Sequence, residues 1–150
     1  MNRRKWLAVV GAAVATGSAA RLLAAERAPV KVLVYKSPTC GCCGAWVDRM
    51  KAAGFEVTTR DVPDVAPIKA RYGIPTRLAS CHTGLVEGYA IEGHVPPADI
   101  QRLLREKPKA VGLAVPGMPM GSPGMEGPRK DPYDVLLVQQ GGATRVFARR

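Results

Sequence analysis

Three of the chain's four cysteines fall within four residues, Cys40-Gly41-Cys42-Cys43, where an apolar run that reads as a strand gives way to one that reads as a helix. The first N–H groups of a helix lack intrahelical partners and carry partial positive charge, which favours thiolate over thiol. A turn of this kind makes either a nucleophile or a soft-metal ligand. Cys40 and Cys43 have the CxxC spacing of a redox pair, and Cys42 is a third sulfur that such a pair does not need. Sulfurs packed this densely, with no carboxylate in the turn, suit Cu(I) or Zn(II) rather than Mg(II), Ca(II) or Mn(II). One thiolate can also bridge two Cu(I) ions.

The fourth sulfur, Cys81, has two placements. If it opens the third strand, it faces the cysteine turn; if that strand begins directly after Pro75, then Pro75 lies against the turn and Cys81 moves away. The alternation from Cys81 through Val86 favours the first. Met118, Met120 and Met125 sit in a Gly/Pro-rich stretch with no core to fill, and their thioethers bind Cu(I) but are poor zinc ligands. The alternative is that they pack over the domain. Strand alternation turns His82 away from Cys81, to the opposite face of the sheet. His94 ends the fourth strand, where hydrogen bonding to a loop competes with metal ligation.

The elements that must position these residues follow from pattern. Val30 to Tyr35 is a β-branched run of strand length, Ser37-Pro38-Thr39 a turn, and Cys42 to Ala53 a helix that Gly54 stops. Phe55 to Arg60 reads as a second strand. Asp64 to Gly73 reads as a second helix with Asp64 as cap and Pro67 in its first turn. Cys81 to Val86 and Tyr89 to Val95 are strands joined at Glu87-Gly88, and Pro97 to Arg105 is a third helix. The order β-α-β-α-β-β-α is that of a thioredoxin-like α/β fold, in which a right-handed parallel crossover makes the first two strands neighbours. Gly112 to Pro132 has few regular signals, and Tyr133 to Val138 and Thr144 to Ala148 flank Gly141-Gly142 as a C-terminal β-hairpin.

The chain has 150 residues and a formal charge of +10. Arg3, Arg4 and Lys5 precede an apolar stretch from Leu7 to Ala20, as in an export signal, with Ser18-Ala19-Ala20 or Leu23-Ala24-Ala25 as its end. An uncleaved N-terminal anchor is the alternative, although the stretch is shorter than the roughly 20 residues a span needs. Arg3-Arg4 hints at the twin-arginine route beside the general secretory one. The expected division is 1–25 export signal, 29–110 thioredoxin-like metal-binding domain, and 111–150 methionine-containing loop and hairpin on the same domain. Loss of 1–25 removes Arg3, Arg4, Lys5 and Arg21 and lowers the charge from +10 to +6. The remaining basic residues are scattered without a stripe interleaved with aromatics, which argues against nucleic-acid binding. Export places the cysteines where idle thiols become disulfides, and any complete pairing of four must deal with adjacent Cys42 and Cys43.

Val34-Tyr35-Lys36-Ser37-Pro38-Thr39-Cys40-Gly41-Cys42-Cys43, together with Ala79-Ser80-Cys81-His82-Thr83, Ile91-Glu92-Gly93-His94-Val95-Pro96 and Gly117-Met118-Pro119-Met120-Gly121-Ser122-Pro123-Gly124-Met125-Glu126, resembles the CopG-type periplasmic copper-resistance proteins. The resemblance spans roughly Val30 to Val138. It implies a thioredoxin-like fold, a cysteine-bridged copper cluster at Cys40, Cys42, Cys43 and Cys81, and a role in handling or redox-cycling copper in the periplasm. Copper ions and other periplasmic copper-handling proteins are then the expected partners, and His94, Met118 and Met120 are candidates to complete the ligand set. Val34 to Cys43 is also similar to glutaredoxins, which implies instead a thiol-disulfide oxidoreductase using Cys40 and Cys43. A Cys-rich zinc site that only holds the fold together is a third reading. No substrate pocket is legible, so nothing in the sequence makes the chain a conventional enzyme.

Overall fold

The computed structural model describes residues 28–150. The expected export signal and its cleavage sites lie outside the described residues. Among the described residues no helix is long and apolar enough to cross a membrane.

Among the described residues the architecture is α/β, a mixed seven-stranded sheet with three α-helices. Its elements are β1 (Lys31–Lys36), α1 (Gly41–Ala52), β2 (Glu56–Asp61), α2 (Ala66–Arg71), β3 (His82–Val86), β4 (Tyr89–Glu92), α3 (Pro97–Glu106), β5 (Gly112–Ala114), β6 (Asp134–Val138) and β7 (Thr144–Arg149). The sheet order is β2-β1-β3-β4-β5-β6-β7. β1 pairs β2 in parallel, as the crossover rule requires, and β4 pairs β5 in parallel; the other neighbours are antiparallel.

Side-chain alternation divides the interior. Val32, Val34, Ile91, Leu113, Val135 and Leu137 point to one face, where Trp46, Val47 and Met50 of α1 and Ile100 and Leu103 of α3 cover them. The neighbouring Ala90, Ala114 and Val138 point to the other face and pack with Ile74 and Leu78, beyond α2. The β3–β4 hairpin turns at Glu87 and Gly88 as expected, both with positive φ (44° and 84°), the conformation a two-residue primed turn demands. Asp64 caps the second helix from just outside it, its Oδ1 accepting the Ala66 N–H at 2.8 Å.

Three expectations need correction. β4 stops at Glu92 rather than Val95, because Gly93 takes a positive φ and breaks the ladder; His94 therefore lies in a loop, not at a strand end. Gly112–Ala114 is a strand inside the stretch expected to be irregular. It is only three residues long, and Gly112 approaches the Ala90 carbonyl so closely that a Cβ would collide with it. The third correction, to His82, concerns the site itself.

The terminal hairpin is fastened to α3. The Arg102 guanidinium lies 4.1 Å from the centre of the Phe147 ring and donates to the Phe147 carbonyl at 2.9 Å. The Arg150 guanidinium grips the buried Asp99 carboxylate with two hydrogen bonds.

Candidate metal centre

β1 ends at Lys36, and the Ser37-Pro38-Thr39 turn delivers the chain to the start of α1, with the Cys40 N–H donating to the Ser37 carbonyl at 3.2 Å. Cys40 is the residue before the first helical turn; its backbone is extended, its carbonyl accepts the Gly44 N–H, and its side chain makes no capping bond. Its sulfur is instead joined to Cys43 as a disulfide, with the two Cα atoms 5.3 Å apart. Cys42 and Cys81 are free thiols. The Cys42 sulfur stands 3.6 Å from Cys40 Sγ and 3.9 Å from Cys81 Sγ, and all four cysteine sulfurs lie within 4.8 Å of one another. Cys81 sits immediately before β3, close to the first of its two expected placements. Pro75 leads instead into the short 3-10 turn Thr76–Leu78.

His82 is where alternation through Cys81 misleads. Cys81 is not in the strand, so the alternation starts at His82, which shares its face with Gly84, on the α1 side. Gly84 leaves room there for Trp46, and the His82 ring packs on that indole with centroids 4.4 Å apart. Its Nδ1 is 3.3 Å from Cys81 Sγ. His94 reaches the same sulfur from the β4–α3 loop, its Nε2 at 3.1 Å. Cys81, His82 and His94 form a second group of donors, again within 4.8 Å of one another.

The electrostatics follow from burial. Desolvation, reinforced by the neighbouring Cys42, pushes the Cys81 thiol up from 9.0 to about 11. Burial holds His82 down at about 3, with His94 and Lys69 adding to the effect, and burial also lowers His94. Both imidazoles are therefore neutral at physiological pH, with a lone pair to offer.

The Gly/Pro-rich loop is tied to this corner. Gly124 (φ +87°) rests on the first turn of α1: a Cβ there would come within 2.7 Å of the Trp46 nitrogen and 2.9 Å of the Cys42 carbonyl oxygen. The Pro123 carbonyl accepts from His94 Nδ1 at 2.8 Å, Glu126 pairs with Arg49 at 2.8 Å, and the Ser80 hydroxyl donates to the Gly117 carbonyl at 2.5 Å. Met118 is 52% exposed and its Sδ lies 4.0 Å from Cys42 Sγ. The structure does not bring Met120 into the group; its sulfur lies against Gly127.

Beneath Cys81 lies a buried charge network that nothing in the sequence announces. Glu92 is 0% exposed, and its carboxylate accepts from Lys69 Nζ at 2.6 Å, from the Ser80 N–H at 2.6 Å and from the Thr83 hydroxyl at 2.7 Å. The Ser80 bond fixes the residue next to Cys81 relative to β4.

The donor set consists of thiols, a thioether and neutral imidazoles, without a carboxylate, and its chemistry fits a soft cation such as Cu(I). The disulfide limits it: in this form two cysteines offer thiolates, and a four-thiolate site requires two-electron reduction of Cys40–Cys43.

A family model described as "Protein of unknown function, DUF411" matches residues 78–125, the stretch that carries Cys81, both histidines, Met118, Met120 and Met125. No curated protein matches the chain. Two solved structures described as copper resistance protein CopG, form 2 and form 1, are each 46% identical to it, with TM-scores of 0.78 and 0.77. Each alignment covers 81% of this chain and 98% of the other. At that identity and coverage, the chain belongs to the CopG copper resistance protein family.

Proposed function

We propose that this is an exported copper-handling protein in which Cys40, Cys42, Cys43 and Cys81, once reduced, bind several Cu(I) ions as a thiolate-bridged cluster. The observation that carries the reading is the convergence of four sulfurs from two separate stretches within 4.8 Å, with no carboxylate among them. Met118 adds a thioether at the exposed side and His94 an imidazole at the buried side. The element order β1-α1-β2-α2-β3-β4-α3, with the cysteines at the start of α1, supports a thioredoxin-like core over 29–110. The sheet continues into β5, β6 and β7, which supports 111–150 as part of the same domain. The basic and then apolar start of the sequence supports export to the periplasm.

The disulfide gives this reading a redox side. When reduced Cys40 and Cys43 join, the dithiol releases two protons and two electrons, and two Cu(II) ions taking one electron each become two Cu(I). Anaerobic Cu(I) titration of the reduced chain tests the cluster. More than one tightly held ion is expected, with a clear loss in Cys42→Ser and in Cys81→Ser; a single weak ion unaffected by Cys42→Ser refutes it. The Cys40–Cys43 disulfide also favours a second reading, a thiol-disulfide oxidoreductase with Cys40 as nucleophile. That reading requires turnover on a protein disulfide that survives both Cys42→Ser and Cys81→Ser.

A further inference from the structure

The two imidazoles around Cys81 are placed more specifically than the four-sulfur cluster requires. Pro123 accepts the proton of His94 Nδ1, so Nε2 keeps its lone pair and directs it at Cys81 Sγ, 3.1 Å away. An outer hydrogen bond to a backbone carbonyl is the usual way a metal-binding histidine has its tautomer fixed. His82 is 0% exposed and its Nε2 has no hydrogen-bond partner. An unpartnered buried polar group carries an uncompensated desolvation penalty, which an apolar ring packed on Trp46 would avoid. What the imidazole gains is an Nδ1 that faces Cys81 Sγ at 3.3 Å.

We propose that, while Cys40 and Cys43 are joined as a disulfide, Cys81, His82 and His94 hold a single copper ion in a His2Cys site that shares Cys81 with the four-sulfur cluster and takes its other two ligands from the histidines. Two neutral imidazoles and one thiolate in a trigonal array are a donor set that proteins use for copper. In a trigonal array, metal–nitrogen and metal–sulfur bonds of about 2.0 and 2.3 Å place the donors roughly 3.7 Å apart, about half an ångström wider than the 3.3 and 3.1 Å spacings here. His82 and His94 both lie on the protein side of Cys81, so the ion sits inward from Cys42 and the exposed Met118. The inference rests on copper being what this protein handles. It gives the oxidised chain a place for copper when the four-thiolate cluster cannot form.

The test uses the full mature chain with its disulfide intact, titrated anaerobically with Cu(I) against a chromophoric chelator. X-ray absorption is then recorded on the one-copper form. The expected result is one ion per chain and a first shell of two nitrogens and one sulfur. His82→Phe and His94→Gln should each weaken binding by at least about tenfold. No uptake by the disulfide form, an all-sulfur first shell, or a folded His82→Phe that keeps wild-type affinity overturns the proposal. The absorption spectrum of the wild type decides the matter even if His82→Phe fails to fold. Uptake of several ions by the reduced chain but none by the disulfide form leaves the cluster standing and removes this site; the opposite pattern removes the cluster alone.

Discussion

Replacing Lys69 by Met strips its cationic partner from a fully buried carboxylate. Glu92 is 0% exposed and Lys69 7%, and their charged atoms are 2.6 Å apart. Breaking a buried pair by removing one partner costs about 3–5 kcal/mol, because the remaining charge is left uncompensated. Two further donors stay on Glu92, the Ser80 N–H and the Thr83 hydroxyl, which places the expected loss near the lower end, about 3 kcal/mol. For a domain of this size that corresponds to a fall in Tm of roughly 10 °C. Urea and thermal unfolding of the metal-free protein measure it, in a double-mutant cycle with Glu92→Gln. The cycle should give a coupling of at least about 1 kcal/mol, because the amide no longer needs the cation. The pair is also tied to the site, since the Ser80 N–H that Glu92 holds belongs to the residue preceding Cys81. Glu92→Leu should therefore speed alkylation of Cys81 under conditions where the chain remains folded. A Lys69→Met protein within about 0.5 kcal/mol of wild type, the scale of an ordinary surface change, would refute the account of this network.

Cys81, held up at about 11 by burial and Cys42, carries on the order of a hundredfold less thiolate at pH 8 than a thiol at 9.0, and its alkylation should climb nearly tenfold per pH unit up to pH 10, measured by mass spectrometry of quenched samples. Acid should weaken the metal-free fold through His82. Its folded value of about 3 lies below the ordinary 6.5, so the unfolded chain binds the extra proton first and stability falls as pH drops below 6.5. The loss is about 2 kcal/mol between pH 7 and pH 5, and His82→Phe should flatten it in urea titrations at the two pH values. Gly124→Ala puts a methyl group against the backbone of α1 at a positive φ; it should cost about 1–3 kcal/mol and lift the loop, so that Met118→Leu no longer changes Cu(I) affinity in that background.

Much of this was legible in the sequence where local signals and tertiary structure agree. β-branched β1, the turn at Ser37 to Thr39, the Glu87-Gly88 hairpin and the parallel pairing of β1 with β2 follow from composition and chain geometry. The approach of Cys81 to the CxCC turn followed from element order. Alternation counted through Cys81 puts His82 on the far face, but Cys81 lies in the bend before the strand, so the alternation starts one residue later. β5 has three residues, too few to show a period, and its pairing rests on Gly112 meeting Ala90 from a distant part of the chain. Lys69 and Glu92 are 23 residues apart, and neither sequence context marks a buried pair. Met120 reads like Met118 in sequence, but the turn from Pro119 to Ser122 directs its sulfur into the loop.

In the proposed reading, the sulfurs around α1 act together as a copper site whose capacity depends on Cys40–Cys43. The direct measurement is the number of Cu(I) ions held per chain before and after that disulfide is reduced, by anaerobic titration and metal analysis of the same preparation. No more than one ion is expected with the disulfide intact, and more than one once all four thiols are free. Equal numbers in the two states would contradict it.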